Sequence, residues 1–198
     1  MVHLVLTLIG PDRPGLVGSV AAVVASQGGN WLESRMTRLG GQFAGILRAS
    51  LPAQNVAGAL RALSELEASG LRVVAQTEPP ARPADRRTHM ELEVLGVDRP
   101  GIVREISQLL AAAGVNVEEL ETGTRSAPMS GEMLFEARAR VDVPPGVDLT
   151  TLRAELDRAA RDLMVDVRLG DADVQRREAG DEGEGAARRH AAMRPRTS

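Results

Sequence analysis

From Val2 to Ile9 the chain alternates, with Leu4, Leu6 and Leu8 on one side, and the pattern predicts a strand. The other side carries Val5, Thr7 and Ile9, so cover on both faces is expected here. After a turn over Gly10 to Pro14 the spacing becomes helical: Leu16, Val20, Ala21, Val23 and Val24 share one stripe between Gly15 and Gln27. Pro14 suits the first helical position, where a missing N–H costs nothing. Gly28-Gly29 ends the helix, where the chain needs positive φ. Alternation returns over Asn30 to Leu39 and Gln42 to Leu51, joined by the hairpin pair Gly40-Gly41. Phe43, Gly45, Leu47, Ala49 and Leu51 line one face of the later strand. Pro52 breaks it. Val56, Leu60, Leu63 and Leu66 then predict a second helix ending at Gly70, and Leu71 to Ala75 a closing strand. The order is βαββαβ, the split βαβ of a ferredoxin-like sandwich.

The same order runs again. His89 to Leu95 predicts a strand with Met90, Leu92 and Val94 inward, and Pro100 to Ala113 a helix with Ile102, Ile106, Leu109 and Ala113 buried. Strands follow over Val115 to Thr122 and Glu132 to Val143, the latter with Met133, Phe135, Ala137, Ala139 and Val141 on one face. Their hairpin, Gly123 to Gly131, reads as four residues longer than its counterpart. Asp148 is an N-cap for a helix carrying Leu152, Leu156, Ala159 and Leu163, and Val165, Val167 and Leu169 finish the sheet. A shift of 86 positions superimposes the copies: ten of 27 residues from Gly10 to Met36 are identical, clustered in Gly-x-Asp-Arg-Pro-Gly and a later Asn. Scattered alanines would be the mark of chance, so the chain is a tandem repeat.

The fold class is therefore α+β: two ferredoxin-like βαββαβ units, each an antiparallel four-stranded sheet with two helices on one face. Their expected bounds are 1–76 and 88–170. A Pro-rich linker is expected over 77–87 and a disordered charged tail over 171–198. Units of this size bury a marginal core, so packing against each other or a second chain is expected, a homodimer in the simplest case. Aromatic residues are 2% of the chain, so the core falls to Val, Leu, Ile and Ala. A formal net charge of -3 argues against direct nucleic-acid binding. The absence of cysteine removes disulfides and thiolate metal sites. No signal peptide or membrane-length apolar run is visible, so a cytoplasmic protein without membrane partners is expected.

Candidate chemistry is sparse. The turns Asp12-Arg13-Pro14-Gly15-Leu16 and Asp98-Arg99-Pro100-Gly101-Ile102 have two readings. One is simple chain reversal. In the other, the helix start offers unpaired N–H groups to a carboxylate, and Asp12 or Asp98 stands by for an ammonium group. Arg13 and Arg99 either reach such a carboxylate or lie in solvent. Asn30 and Asn116 either cap locally, in a left-handed conformation, or offer an amide to a small polar ligand. His3 and His89 align, but one His per unit is poor metal spacing. Glu91, Glu93, Glu118, Glu119 and Glu121 read as a solvated sheet face. No nucleophile–base arrangement and no phosphate or dinucleotide loop appears, so no catalytic residue, metal or cofactor is expected.

The Gly-x-Asp-Arg-Pro-Gly-[Leu/Ile]-Val turns and the pairs Gly28-x-Asn30 and Gly114-x-Asn116 resemble the ACT domain, a ligand-sensing ferredoxin-like module. The resemblance covers about residues 2 to 170. Two bare units, with Asn30-Trp31-Leu32-Glu33-Ser34-Arg35 and Leu39-Gly40-Gly41-Gln42-Phe43, are similar to the glycine cleavage system transcriptional repressor group. The resemblance implies a non-enzymatic regulator that binds a small amino acid such as glycine or serine, where the turn of one unit meets the second strand of a neighbour. Its site residues would be Asp12, Arg13, Pro14, Gly15, Leu16 and Asn30, with Asp98, Arg99, Pro100, Gly101, Ile102 and Asn116. Some ACT sites have Asn where this chain has Asp12 and Asp98. The implied partner is a transcription regulator; a metabolic enzyme, or no ligand at all in a pure dimerisation module, are the alternatives.

Overall fold

The computed structural model describes residues 1–78, 87–128 and 131–171. The core of the expected linker and all but the first residue of the expected tail lie outside them. The chain divides into two compact units, Met1–Arg82 and Pro83–Ser198.

The first unit runs β1 (Val2–Pro11), α1 (Leu16–Ser26), β2 (Asn30–Leu39), β3 (Gln42–Leu51), α2 (Val56–Glu65) and β4 (Arg72–Thr77). The second runs β5 (Thr88–Val97), α3 (Ile102–Ala112), β6 (Asn116–Ser126), β7 (Met133–Val143), α4 (Leu149–Leu163) and β8 (Val165–Asp171). The sheets have the orders β2-β3-β1-β4 and β6-β7-β5-β8, antiparallel throughout. That is the ferredoxin-like sandwich the periodicity predicts.

Each core lies between helices and sheet. Leu4, Leu6, Leu8, Leu47, Ala49 and Leu51 meet Leu16, Val20, Val24, Ala59 and Leu63 in the first unit. Met90, Leu92, Val94 and the β7 residues from Phe135 to Val143 meet Ile102, Ile106, Leu110, Leu152 and Leu156 in the second. The expected stripes shift slightly. Ala59, Leu110 and Ala160 are buried, whereas Leu60 is exposed and Leu109 and Ala159 are only partly covered. Cover on both faces of β1 does not occur within this unit: Ile9 is exposed, as are Ile46 and Val74 beside it, because both helices pack on the opposite face.

Two further expectations change. Pro14 is not the first helical residue; α1 starts two positions later, at Leu16, after Gly15, whose φ of 95° is left-handed. Gly101 does the same for α3 with φ of 105°. The hairpin of the second unit is longer by six residues rather than four. Met36 pairs with Gly45 and Thr122 with Ala137, separations of nine and fifteen. Pairing persists through Arg125↔Leu134 and Ser126↔Met133, so residues read as loop extend the ladder. The offset between copies is thus 86 up to β6 and 92 in β7.

Candidate functional site

The two turns are built alike, and each of their glycines has its own reason. A Cβ on Gly10 would lie 2.5 Å from the carbonyl oxygen of Gly70, and one on Gly96 would lie 2.7 Å from Val165 Cα. The strand that closes each sheet passes too close for any side chain. Gly15 and Gly101 have open space around them and are required instead by their left-handed φ. The turn is tied to the neighbouring hairpin by the Asp12 N–H, which donates to the Gly41 carbonyl at 2.9 Å. The Asp98 N–H donates likewise to Met133 at 2.8 Å.

No side chain caps the start of α1 or α3. The carbonyls of Gly15 and Gly101 accept from Ser19 and Glu105, but the first-turn N–H groups have no partner within their helix. With the partial positive charge of the helix start they form an anion-favouring surface. Leu16 and Ile102 are buried, so only their backbone is available there. The two carboxylates differ. Asp12 is held by Arg38, whose Nε lies 2.9 Å from Oδ2. At the position of Arg38 the second unit has Thr124, and Asp98 stands exposed without that partner. Arg13 is turned away, donating to the Ser69 carbonyl at the end of the turn after α2. Pro14, Arg99 and Pro100 are exposed.

Asn30 and Asn116 occupy the first position of β2 and β6, extended and exposed. Positive φ at the preceding turns falls on Gly28 and Gly114, so no left-handed conformation calls for Asn at either place. Their location matters more. Asn30 is in register with Ser50 and, through it, His3, at the start of β1. The Asp12 turn follows Pro11, at the other end of that strand. Eight residues of strand separate the two ends, roughly 26 Å. The structure therefore does not bring the turn and the Asn of one unit together. Each unit carries its turn and its Asn at opposite ends of its sheet.

His3 and His89, expected as surface residues, each meet a glutamate and an arginine in the structure. Glu78 lies 3.3 Å from His3 Nδ1 and 2.9 Å from Arg48 Nε. In the second unit Glu118 takes the same place, 3.4 Å from His89 and 3.0 Å from Arg140. Arg140 also reaches Glu119 at 2.8 Å. The β-bulge between Val117 and Glu119 brings Glu118 to this face; the first unit has the equivalent bulge between Trp31 and Glu33, with Leu32 there. Next to it Asp142 is buried, with Oδ2 accepting from Arg87 at 3.0 Å and Oδ1 without a hydrogen-bond partner among the described residues. A bulge is invisible to period-2 counting, which is why this grouping was missed.

Comparison with known proteins defines the class. ACT-domain family profiles match residues 2–76 and 90–154. The chain belongs to the ACT-domain family and carries two such domains in tandem. It is homologous to the glycine cleavage system transcriptional repressor of Escherichia coli (strain K12), with 30% identity over 128 residues, 63% of this chain and 66% of the repressor. It thus spans just under two thirds of that relative's length. Among solved structures, an unknown protein from Galdieria sulphuraria shares 31% identity with a TM-score of 0.74, covering 86% of this chain and 98% of that one. A structure provisionally described as a glycine cleavage system transcriptional repressor shares 25% identity with a TM-score of 0.62, covering 85% and 96%. No helix among the described residues is long and apolar enough to cross a membrane.

Proposed function

We propose that this chain is a non-enzymatic regulatory protein that responds to a small amino acid such as glycine or serine and modulates transcription through a protein partner. The observation that carries the reading is the uncapped helix start with a carboxylate beside it, present twice. An α-amino acid carries its ammonium and carboxylate groups on one carbon. Its carboxylate suits the first-turn N–H groups of α1 or α3, and its ammonium group suits Asp12 or Asp98. Asn30 or Asn116 of a second copy of the chain would complete the site, because the Asn of the same unit is at the far end of the sheet. Ligand binding is then linked to how copies associate, the simplest basis for regulation without chemistry. The homology to a glycine cleavage repressor supports transcription as the process regulated.

Asp98, free of the Arg38 contact, is the more available carboxylate. Calorimetric titration of the full chain with glycine and with serine tests the proposal. Saturable binding that weakens about tenfold or more in Asp98→Ala, and less in Asp12→Ala, is expected. No heat with either amino acid would sink the sensor reading. Capture of a metabolic enzyme rather than a transcription regulator would move the regulated process, leaving the site intact.

A further inference from the structure

The two units differ in how they fill the space between their first helix and the sheet. Trp31 and Met36 of β2 pack on the first core, with Leu47 of β3 fully buried beneath them. By register, Val117, Thr122 and Ala139 stand at those three positions in the second unit. All three are smaller. Larger residues enter beside them, Leu120 for Ser34 and Ile106 for Val20, and a pocket of about 130 Å³, open to solvent at its rim, lies between α3 and the β6–β7 side of the sheet, lined among others by Val94, Ile106, Val117, Leu120, Phe135 and Ala139. The floor is no longer sealed: Ala139 is 6% exposed where Leu47 is 0%, and Ile106 is 5% exposed where Val20 is 0%. Val103, Val117 and Leu120 form an exposed apolar rim.

We infer that the second unit carries an apolar ligand site in this cavity, taking a neutral hydrocarbon group about the size of benzene. The volume is close to that of dry apolar cavities known to accept such a molecule. The lining carries no charged side chain, and the Ser107 hydroxyl is its one polar side chain. A charge placed inside would lose its hydration without a partner, so any charged end of the ligand stays at the rim. Collapse is opposed at the start of α3, where the preceding turn is tied to β7 by the Asp98 N–H, which donates to the Met133 carbonyl at 2.8 Å. The pocket adjoins the Asp98 turn through Ile102 and Val103, but its apolar lining contains neither Asp98 nor Asn116, so binding there can be read independently of the amino-acid proposal.

The repeat supplies its own control. In a methyl-resolved NMR titration of the full chain with benzene, the Ala139, Ile106 and Val117 methyl signals shift saturably. Those of Leu47 and Val20 do not. Ala139→Leu, which installs the residue of the first unit, abolishes the shifts. At ten times its dissociation constant benzene also raises the melting temperature of the second unit by roughly 5 °C. A parallel titration with leucine identifies the source: shifts of the same methyls mark an amino-acid side chain as the occupant. Shifts with benzene alone mark a neutral molecule. The inference is overturned by no saturable shift at Ala139 up to the solubility of benzene, or by equal shifts in Ala139→Leu.

Discussion

Between α1 and its sheet the first unit sets Trp31, Met36 and Leu47; between α3 and its sheet the second sets Val117, Thr122 and Ala139. On the opposite face the contrast reverses in kind. Val5, Thr7, Ala44, Ile46 and Val74 of the first unit correspond by register to Glu91, Glu93, Glu136, Arg138 and Arg168 of the second. Arg138 lies 3.5 Å from Glu93, and Arg125 lies 3.1 Å from Glu136. One unit is tightly filled with a mixed outer face that includes Ile9, Ile46 and Val74; the other is less tightly filled with a more highly charged one. The ferredoxin-like plan needs only one sealed layer, so two copies can keep the backbone while their remaining surfaces diverge. The helix-start turns stay alike because glycine is dictated there by backbone approach and by φ, not by packing volume.

The contrast can be broken by moving residues across it, with unfolding followed in urea. Trp31, the one tryptophan of the chain, reports on the first unit, and circular dichroism on both. Leu47→Ala, which gives the first unit the residue of the second, is expected to cost about 3 kcal/mol, since a fully buried leucine leaves a cavity behind. Gly96→Ala should cost about 2 kcal/mol by forcing a Cβ against Val165, and Gly10→Ala a similar amount against Gly70. The reverse exchange, Ala139→Leu, should gain about 1 kcal/mol in the second unit by filling existing space. A loss there would mean that the cavity is closed by rearrangement.

Smaller effects sharpen the comparison at the helix ends. Gly70 and Met164 hold the same place before the last strand, both left-handed, with φ of 85° and 55°. Met164→Gly should therefore stabilise the second unit by about 0.5 kcal/mol, the relief of the side chain outweighing added chain entropy. Asp148 caps α4, accepting from the Thr150 N–H at 2.9 Å and the Thr151 hydroxyl at 2.6 Å. The Thr151 hydroxyl first, and then the Thr150 N–H, hold its carboxyl below the usual range. A lowered folded pKa stabilises fully above the ordinary carboxylate value and is lost as pH falls through the folded value. Asp148→Ala should thus lower the midpoint at neutral pH and converge with the parent chain in acid. Ile46→Arg, exposed on the outer face, should change stability by less than about 0.5 kcal/mol.

Alternation and helical spacing alone determined the element order, the antiparallel sheets, the inward residues of β1, β3 and β5 and, apart from the exposed Met133, of β7, and the Asp148 cap. These are local: period, turn chemistry and capping are properties of a few neighbouring residues. The tandem turns were equally legible, because a repeated string needs no coordinates. What only the tertiary structure decided was where such strings end up. It separated Asn30 from the Asp12 turn by a sheet length, since β1 and β2 run the same way, flanking β3. It paired Asp12 with Arg38 and turned Arg13 to the Ser69 carbonyl, contacts between residues far apart in the chain. The bulges bring Glu118 under His89 and Arg140 and re-aim side chains without altering the apolar count. The pocket of the second unit is lined by residues of α3 and several strands, adjacent only once the hairpin register is set. Composition along the chain records what each residue prefers; register and packing decide what it meets.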